Sequence, residues 1–118
     1  MIKGLFLDDE RYPEDVTWVE YPNNVEWVIA RTHYDFMDEL KNSSFDIISF
    51  DHDIQCFDIT GGEITGYMSL QWYIHSIMNG ELAILPDCVF HTKNPIGECN
   101  MVSYYNNFKK YQQGGVRA

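Results

Sequence analysis

Apolar and polar positions fall in blocks along the chain. Leu5-Phe6-Leu7 is a short continuous apolar run that stops at Asp8-Asp9, the pattern of a buried parallel strand whose carboxyl end opens onto a site. From Glu10 to Asn24 the chain carries Pro13 and Pro22 and no helical period, so it reads as loop with at most a short helix. Val25 to Ala30, rich in β-branched and aromatic residues, predicts a second strand. Thr32, with Asp35 three residues on, caps a helix whose apolar face is Phe36, Met37 and Leu40. Phe45 to Phe50 predicts a third strand, which ends in Asp51-His52-Asp53, and a polar loop with several glycines runs from there to Gly66. Tyr67, Leu70, Ile74 and Ile77 then recur at helical spacing, with Gly80 where a C-terminal cap belongs. Cys88-Val89-Phe90 predicts a fourth strand ending in His91. Asn100 is read as the cap of a last helix with Met101, Tyr104, Tyr105, Phe108 and Tyr111 on its inner face and Gly114 as its stop.

Strands that alternate with helices imply an α/β fold with a mostly parallel sheet and right-handed crossovers. Ligands of such sheets bind outside the carboxyl ends of the strands. Three of the four predicted strands end there on ionisable groups: Asp8-Asp9, Asp51-His52-Asp53 and His91. The fold therefore gathers residues that are about 40 positions apart in sequence.

Composition narrows the partners. The 118 residues make one domain, 1–118, and with 45% hydrophobic and 22% charged residues the chain is neither disordered nor a stapled mini-protein. Lys and Arg number 8 against 18 Asp and Glu, a formal charge of −10. That field disfavours duplex DNA, because nucleic-acid affinity comes from cations that neutralise phosphates. A small phosphate or one RNA end stays open if a bound cation offsets the carboxylates. Cys56, Cys88 and Cys99 are an odd set without a close pair and read as free thiols of a reducing, cytoplasmic setting. No apolar run approaches the ~18–20 residues of a membrane span, and the first residues do not read as a signal peptide. The charge argues for good solubility, as a monomer or a small homo-oligomer.

The converging residues suggest phosphate chemistry. Asp8, Asp9, Asp51 and Asp53 place four carboxylates at one rim; a hard divalent cation, Mg²⁺ or Mn²⁺, relieves their repulsion. His52 and His91 stand at adjacent strand ends, where an imidazole pair can serve a phosphodiester as base and acid, or one ring can ligate the metal. Thr92, Lys93 and Asn94 put a hydroxyl, a cation and an amide directly after a strand. Gly61, Gly62 and Gly66 would let backbone N–H groups approach a phosphate ahead of a helix. Tyr12 and Trp18 could stack a base, although packing explains either residue equally well.

These residues also carry a resemblance. Two acids after the first strand, an acid after the third and a threonine after the fourth resemble the phosphoacceptor pocket of response-regulator receiver domains, with Asp51 in the phosphoacceptor position and Thr92 as the switch hydroxyl. More narrowly, Leu5-Phe6-Leu7-Asp8-Asp9-Glu10-Arg11-Tyr12-Pro13, Ser49-Phe50-Asp51-His52-Asp53, Thr65-Gly66-Tyr67, His91-Thr92-Lys93-Asn94-Pro95-Ile96-Gly97 and Asn100-Met101 resemble the cyclic-phosphate-processing receiver-like family, cREC. The resemblance implies a receiver-like, flavodoxin-like three-layer sandwich with a truncated parallel sheet of about four strands in the order 2-1-3-4. It implies a metal held by Asp8, Asp9 and Asp51 with Asp53 beside them, proton transfer by His52 and His91, and phosphate binding by Thr92 and Asn94; Lys93, Gly66 and Asn100 are expected as further phosphate ligands of the same rim. The chain departs from receivers in three places. No fifth strand with the receiver lysine is apparent, the first receiver helix is reduced to loop, and Glu98 stands where a basic residue is expected.

Together these readings imply a metal-assisted phosphoesterase that opens or hydrolyses a cyclic phosphate, either an RNA-terminal 2′,3′-cyclic phosphate or a cyclic nucleotide. His52, His91 and Asp51 would be catalytic, and covalent catalysis through Asp51 is a variant. The alternative is a non-catalytic receiver-derived module that binds a cyclic nucleotide or a protein partner.

Overall fold

The computed structural model describes residues 1–82 and 86–115. The elements in chain order are β1 (Ile2–Leu7), a 3-10 turn (Pro13–Asp15), β2 (Val25–Ala30), α1 (His33–Asn42), β3 (Ile47–Phe50), β4 (Cys56–Phe57), β5 (Glu63–Ile64), α2 (Gly66–Met78), β6 (Asp87–Phe90) and α3 (Pro95–Gly115). Four strands form a parallel sheet in the order β2-β1-β3-β6. This is the expected receiver-like, flavodoxin-like order, with the fourth sheet strand sixth in the chain. The two extra strands, β4 and β5, form a small antiparallel hairpin inside the segment that the sequence reads as irregular loop. At two residues each they are too short to show a period. Asp58 organises the hairpin tip: its Oδ1 accepts from the Thr60 hydroxyl and from the backbone N–H of Thr60 and Gly62. Gly61, at φ 86°, supplies the left-handed residue.

Strand alternation separates the two faces of the sheet. Leu5, Leu7, Val28, Ala30, Ile48, Phe50, Cys88 and Phe90 face the main core with Phe36 and Leu40 of α1, Leu70 and Ile74 of α2, and Met101, Tyr105 and Phe108 of α3. The helices lie in a row, α1 against α2 and α2 against α3. Phe6, Trp27, Ile29 and Ser49 point to the opposite face. There the covering layer comes from the segment between β1 and β2, with Val16 buried, Tyr21 against Trp27 and Trp18 bonded to the His91 carbonyl.

Thr32 caps α1 as expected, its Oγ1 accepting from the Asp35 N–H at 3.1 Å. Thr65 caps α2, and Gly80, at φ 77°, follows its end. The cap of the last helix lies at Asn94 rather than at Asn100, where its sequence suggests. Pro95 is its first residue, Asn94 is the cap whose Oδ1 accepts from Gly97 N–H at 3.1 Å, and Asn100 is an exposed residue of the helix body. Proline at the first helical position costs no hydrogen bond, which is why the turn can start there. Tyr111 is 62% exposed rather than on the inner face. Gly114 lies within the helix rather than ending it. Among the described residues no helix is long and apolar enough to cross a membrane.

Candidate functional site

Register builds the site. Leu7 pairs with Ala30 and with Phe50, and Phe50 pairs with Phe90. The residues that follow, Asp8, Arg31, Asp51 and His91, therefore leave the sheet in one row. The ladder continues one step past the strands: Asp8 N–H donates to Ala30, Asp51 N–H to Leu7 and His91 N–H to Phe50.

Asp8 is fully buried, and both of its oxygens are engaged. Oδ1 accepts from the N–H of Glu10 and of Arg11 at 3.0 Å each; Oδ2 accepts from the Arg11 guanidinium at 3.3 Å and from His91 Nε2 at 2.9 Å. Burial alone would raise its pKa, but the hydrogen bonds from His91 and from the two backbone amides outweigh it and hold the carboxyl well below the usual range. Asp51 is nearly as buried and differs in sign. Burial and the neighbouring Asp8 charge push its pKa up, against the opposing pull of His91, the Thr92 hydroxyl and the His52 N–H. Arg11 spans the two acids, 3.6 Å from Asp51 Oδ2. Asp9 is raised by partial burial and by the charges of Asp8, Glu10 and Asp51.

His91 lies on the covered face. Its imidazole stacks flat on Phe6, centroids 4.5 Å apart and planes at 5°, and both nitrogens are bonded, Nε2 to Asp8 and Nδ1 to Ser49 Oγ at 2.7 Å. Ser49 also bonds Tyr21 Oη at 2.6 Å. A carboxylate only accepts, so Nε2 carries a hydrogen, and a continuous chain runs from Tyr21 through Ser49 and His91 to Asp8. Burial is the main reason the Tyr21 phenol is pushed up to about 12. No buried side-chain nitrogen or oxygen among the described residues lacks a partner.

His52 is placed elsewhere. Its Nδ1 meets Asp53 Oδ1 at 2.9 Å, and its ring packs on Gly97 in the first turn of α3, where a Cβ would collide with it. The two histidines therefore do not flank one cavity. Hydrogen bonding to His52, with help from Asn94, holds the Asp53 carboxyl below its ordinary value.

An open cavity of about 340 Å³ gathers Asp9, Arg11, Asp51, Asp53, Thr92, Lys93 and Asn94. Lys93 is held over the Trp18 ring, Nζ 4.1 Å from its centroid, and Arg11 lies 5.4 Å from the same ring. Trp18 in turn donates Nε1–H to the His91 carbonyl at 2.7 Å. Of the expected phosphate ligands, Thr92, Lys93 and Asn94 line this cavity. Gly66 and Asn100 do not: Gly66 gives its N–H to the His52 carbonyl at 2.8 Å and touches the Asp51 backbone so closely that no Cβ fits, and Asn100 faces solvent on α3. Arg11, Tyr21 and Ser49 are site residues that sequence reasoning missed, and Trp18, read there as a possible base stacker, instead holds Arg11, Lys93 and the His91 carbonyl. Ser49 left a signal as the one polar residue of the Ile47–Phe50 strand, and Arg11 stood inside the Asp8–Arg11 charge run; nothing local marked Tyr21.

The sequence model of the cyclic-phosphate processing receiver domain matches residues 3–107, a span that contains every element of the site. The chain belongs to this family. Among curated proteins and among solved structures no match to it was found. In receiver terms, Asp8 and Asp51 stand at the ends of the two central strands, and one ligand atom from each of Asp8, Asp51 and His91 lies within 4.8 Å of the other two. The receiver pocket is thus kept in outline, with a guanidinium laid across its two buried acids.

Proposed function

We propose that this receiver domain binds a cyclic phosphate in the Asp9–Arg11–Asp51–Thr92–Asn94 cavity and opens its ring by hydrolysis. The observation that carries this reading is the pairing, in one open cavity, of phosphate-binding groups with a buried carboxylate of raised pKa. Arg11 and Lys93 supply charge, and Thr92 and Asn94 supply donors for the non-bridging oxygens. Asp51, whose proton affinity is lifted by burial and by Asp8, is suited to take a proton from the attacking water. The water oxygen bonds to phosphorus, one ring P–O bond breaks, and the departing oxygen takes its proton from solvent at the open mouth. The product is an acyclic phosphomonoester.

Asp9 and Asp51, with Asp8 behind them, are the chain's donors for Mg²⁺ or Mn²⁺, and hard carboxylate oxygens suit such an ion. An ion held there would polarise the phosphoryl oxygens, and Arg11 would have to give way to admit it. His91 then positions: it holds Asp8 and, through its backbone, Trp18. His52, the other expected proton carrier, is held on Asp53 and Gly97 and does not line the cavity, so the leaving oxygen takes its proton from solvent.

The burial of His91 also favours a second reading, a module that binds a cyclic nucleotide without turnover. One experiment separates them. A panel of 2′,3′- and 3′,5′-cyclic phosphates is incubated with the protein and Mg²⁺ or Mn²⁺, and products are resolved by chromatography beside Asp51→Asn and His52→Ala. Turnover lost in Asp51→Asn supports hydrolysis; binding without any product supports the module; an Asp51→Asn protein with full turnover overturns the catalytic assignment.

A further inference from the structure

A second cavity, of about 470 Å³, opens on the sheet face that the helices leave uncovered, and Tyr12, Pro13, Glu14, Tyr21, Trp27 and Ile29 line it. Three of its six walls are aromatic, one is a carboxylate and none is a cation, so it suits a neutral planar ring rather than a phosphate. The walls are held in place before any ligand arrives. Trp27 lies directly on Gly4, where a Cβ would come within 2.6 Å of its Cε3, and it is steadied edge-on by Phe6 at 5.8 Å and Tyr21 at 5.1 Å. Tyr21 is anchored through Ser49. Arg31 stacks on Tyr12, its guanidinium 4.6 Å from the ring centroid, and is itself tied to the carbonyls of Asp8 and Arg11 at 3.2 and 2.7 Å. Rigid aromatic walls of this kind bind flat ligands at low entropic cost.

The two cavities have consecutive residues in their walls. Arg11 lines one and Tyr12 the other. Ile29 pairs with Phe6, two residues before Asp8, which places it about 7 Å along the strand and about 5 Å across from that carboxylate's backbone. A single nucleotide spans that separation and so reaches the Tyr12–Ile29 end of the cavity; Trp27, which pairs with Gly4, lies about 7 Å further along the strand, within reach of the far edge of the base.

We propose that this cavity is a base subsite. It stacks a nucleobase on Tyr12 and Trp27, and Glu14 at its rim accepts an N–H from the base edge, while the cyclic phosphate of the same nucleotide occupies the acidic cavity. The substrate class is then a nucleoside cyclic phosphate, free or at an RNA end, and not a base-free cyclic phosphate. The proposal rests on the hydrolytic reading for its second half only, because base binding is measurable without turnover.

The test uses the full chain. Adenosine and cytidine are titrated against the wild type, Tyr12→Ala and Trp27→Leu while the indole N–H signals are followed by NMR. Nucleoside 2′,3′- and 3′,5′-cyclic phosphates, a short RNA ending in a 2′,3′-cyclic phosphate and ribose cyclic phosphate without a base are then compared for binding and turnover. The expected result is a saturable shift of the Trp27 signal with nucleoside alone, weakened about 10-fold by Tyr12→Ala through loss of one stacking partner, with nucleoside cyclic phosphates preferred over the base-free one by a similar factor. Tyr12 is half exposed, so its alanine variant folds even if Trp27→Leu does not. Nucleosides that leave Trp27 unmoved while cyclic phosphates are bound or hydrolysed overturn the subsite and leave the hydrolytic reading standing. Nucleosides that move Trp27 when no cyclic phosphate is processed support the subsite and remove the hydrolytic reading. Shielding of Trp27 by self-association at the concentrations used overturns it in favour of a contact between copies.

Discussion

Replacing His91 with Phe isolates what the buried imidazole contributes. The benzyl ring keeps the flat stack on Phe6 but makes neither hydrogen bond. The bond to the Asp8 carboxylate, at 2.9 Å, is charge-assisted and contributes about 1.5–3 kcal/mol, and the bond to Ser49, at 2.7 Å, contributes about 0.5–1.5 kcal/mol. Their loss comes to about 2–4 kcal/mol, a large part of a domain's total of about 5–15 kcal/mol. Asp8 retains two backbone amides and Arg11, which keeps the loss from exceeding the about 3–5 kcal/mol of an abandoned buried charge. With a urea slope of about 1–3 kcal/mol per molar, the unfolding midpoint falls by about 0.7–4 M. The assay is equilibrium urea unfolding at pH 7, repeated at pH 3. Asp8's folded pKa lies below its ordinary value of 3.8, so its contribution is complete above that pH and is lost as pH falls toward the folded value. The gap between wild type and variant should therefore narrow at pH 3. An unchanged midpoint at pH 7, with turnover abolished, would refute the anchoring role and return His91 to proton transfer.

Asp51→Asn is expected to stabilise the fold at pH 7 and to cost at least about 10²-fold in turnover. Its folded pKa is raised, so its charge weakens the native state above the usual carboxylate range, and the gain in thermal midpoint should vanish below pH 3.8, where both states hold the proton. Trp18→Ala releases Lys93 and Arg11 from their shared ring and should weaken phosphate binding about 2- to 5-fold per cation, read by isothermal titration. Mg²⁺ or Mn²⁺ at ten times its dissociation constant should add about 1.4 kcal/mol to the wild type and nothing to Asp51→Asn, read as a thermal midpoint that chelator reverses.

The sheet was legible because each of its four strands is rich in apolar, β-branched or aromatic residues and bounded by charge or loop, and parallel register then forces Asp8, Asp51 and His91 into one row. The start of α3 was legible in principle, since Asn94-Pro95 is a cap followed by proline at the first helical position. It was obscured because the same residues read as a phosphate loop, and both descriptions apply: Thr92 and Asn94 line the cavity while Asn94 caps the helix. What sequence could not reveal was which strand-end groups would be covered. Alternation sends His91 to the face shared by Phe6 and Ser49, but whether that face is wet depends on the path of the segment between β1 and β2. Trp18 and Tyr21 close over it through contacts 73 and 28 residues away in sequence, and no local pattern encodes those. Arg11 was hidden for a related reason, since its meaning lies in bridging two acids that only the folded sheet brings together.

A chain of net charge −10 must still admit an anion, and the site accomplishes this locally. At physiological salt, charges more than about 8 Å away are largely screened, so the balance inside the cavity decides. Arg11 and Lys93, both held over Trp18, face Asp9, Asp51 and Asp53, and α3 begins immediately beyond Asn94 with its positive end toward the same rim. The cavity tolerates one negative charge much better than two. A cyclic phosphate diester carries one; the phosphomonoester formed by opening it carries about −1.5 to −2 at pH 7. The carboxylates that make the site look hostile to phosphate would thus act mainly on the product and speed its departure. Titration of a cyclic phosphate and its own ring-opened product into Asp51→Asn and wild type checks this. The product should bind more weakly than the cyclic form to the wild type, and the discrimination should shrink in Asp51→Asn, where one of the repelling charges is gone. Equal affinities in both proteins would mean that the acids do not select between the two charge states.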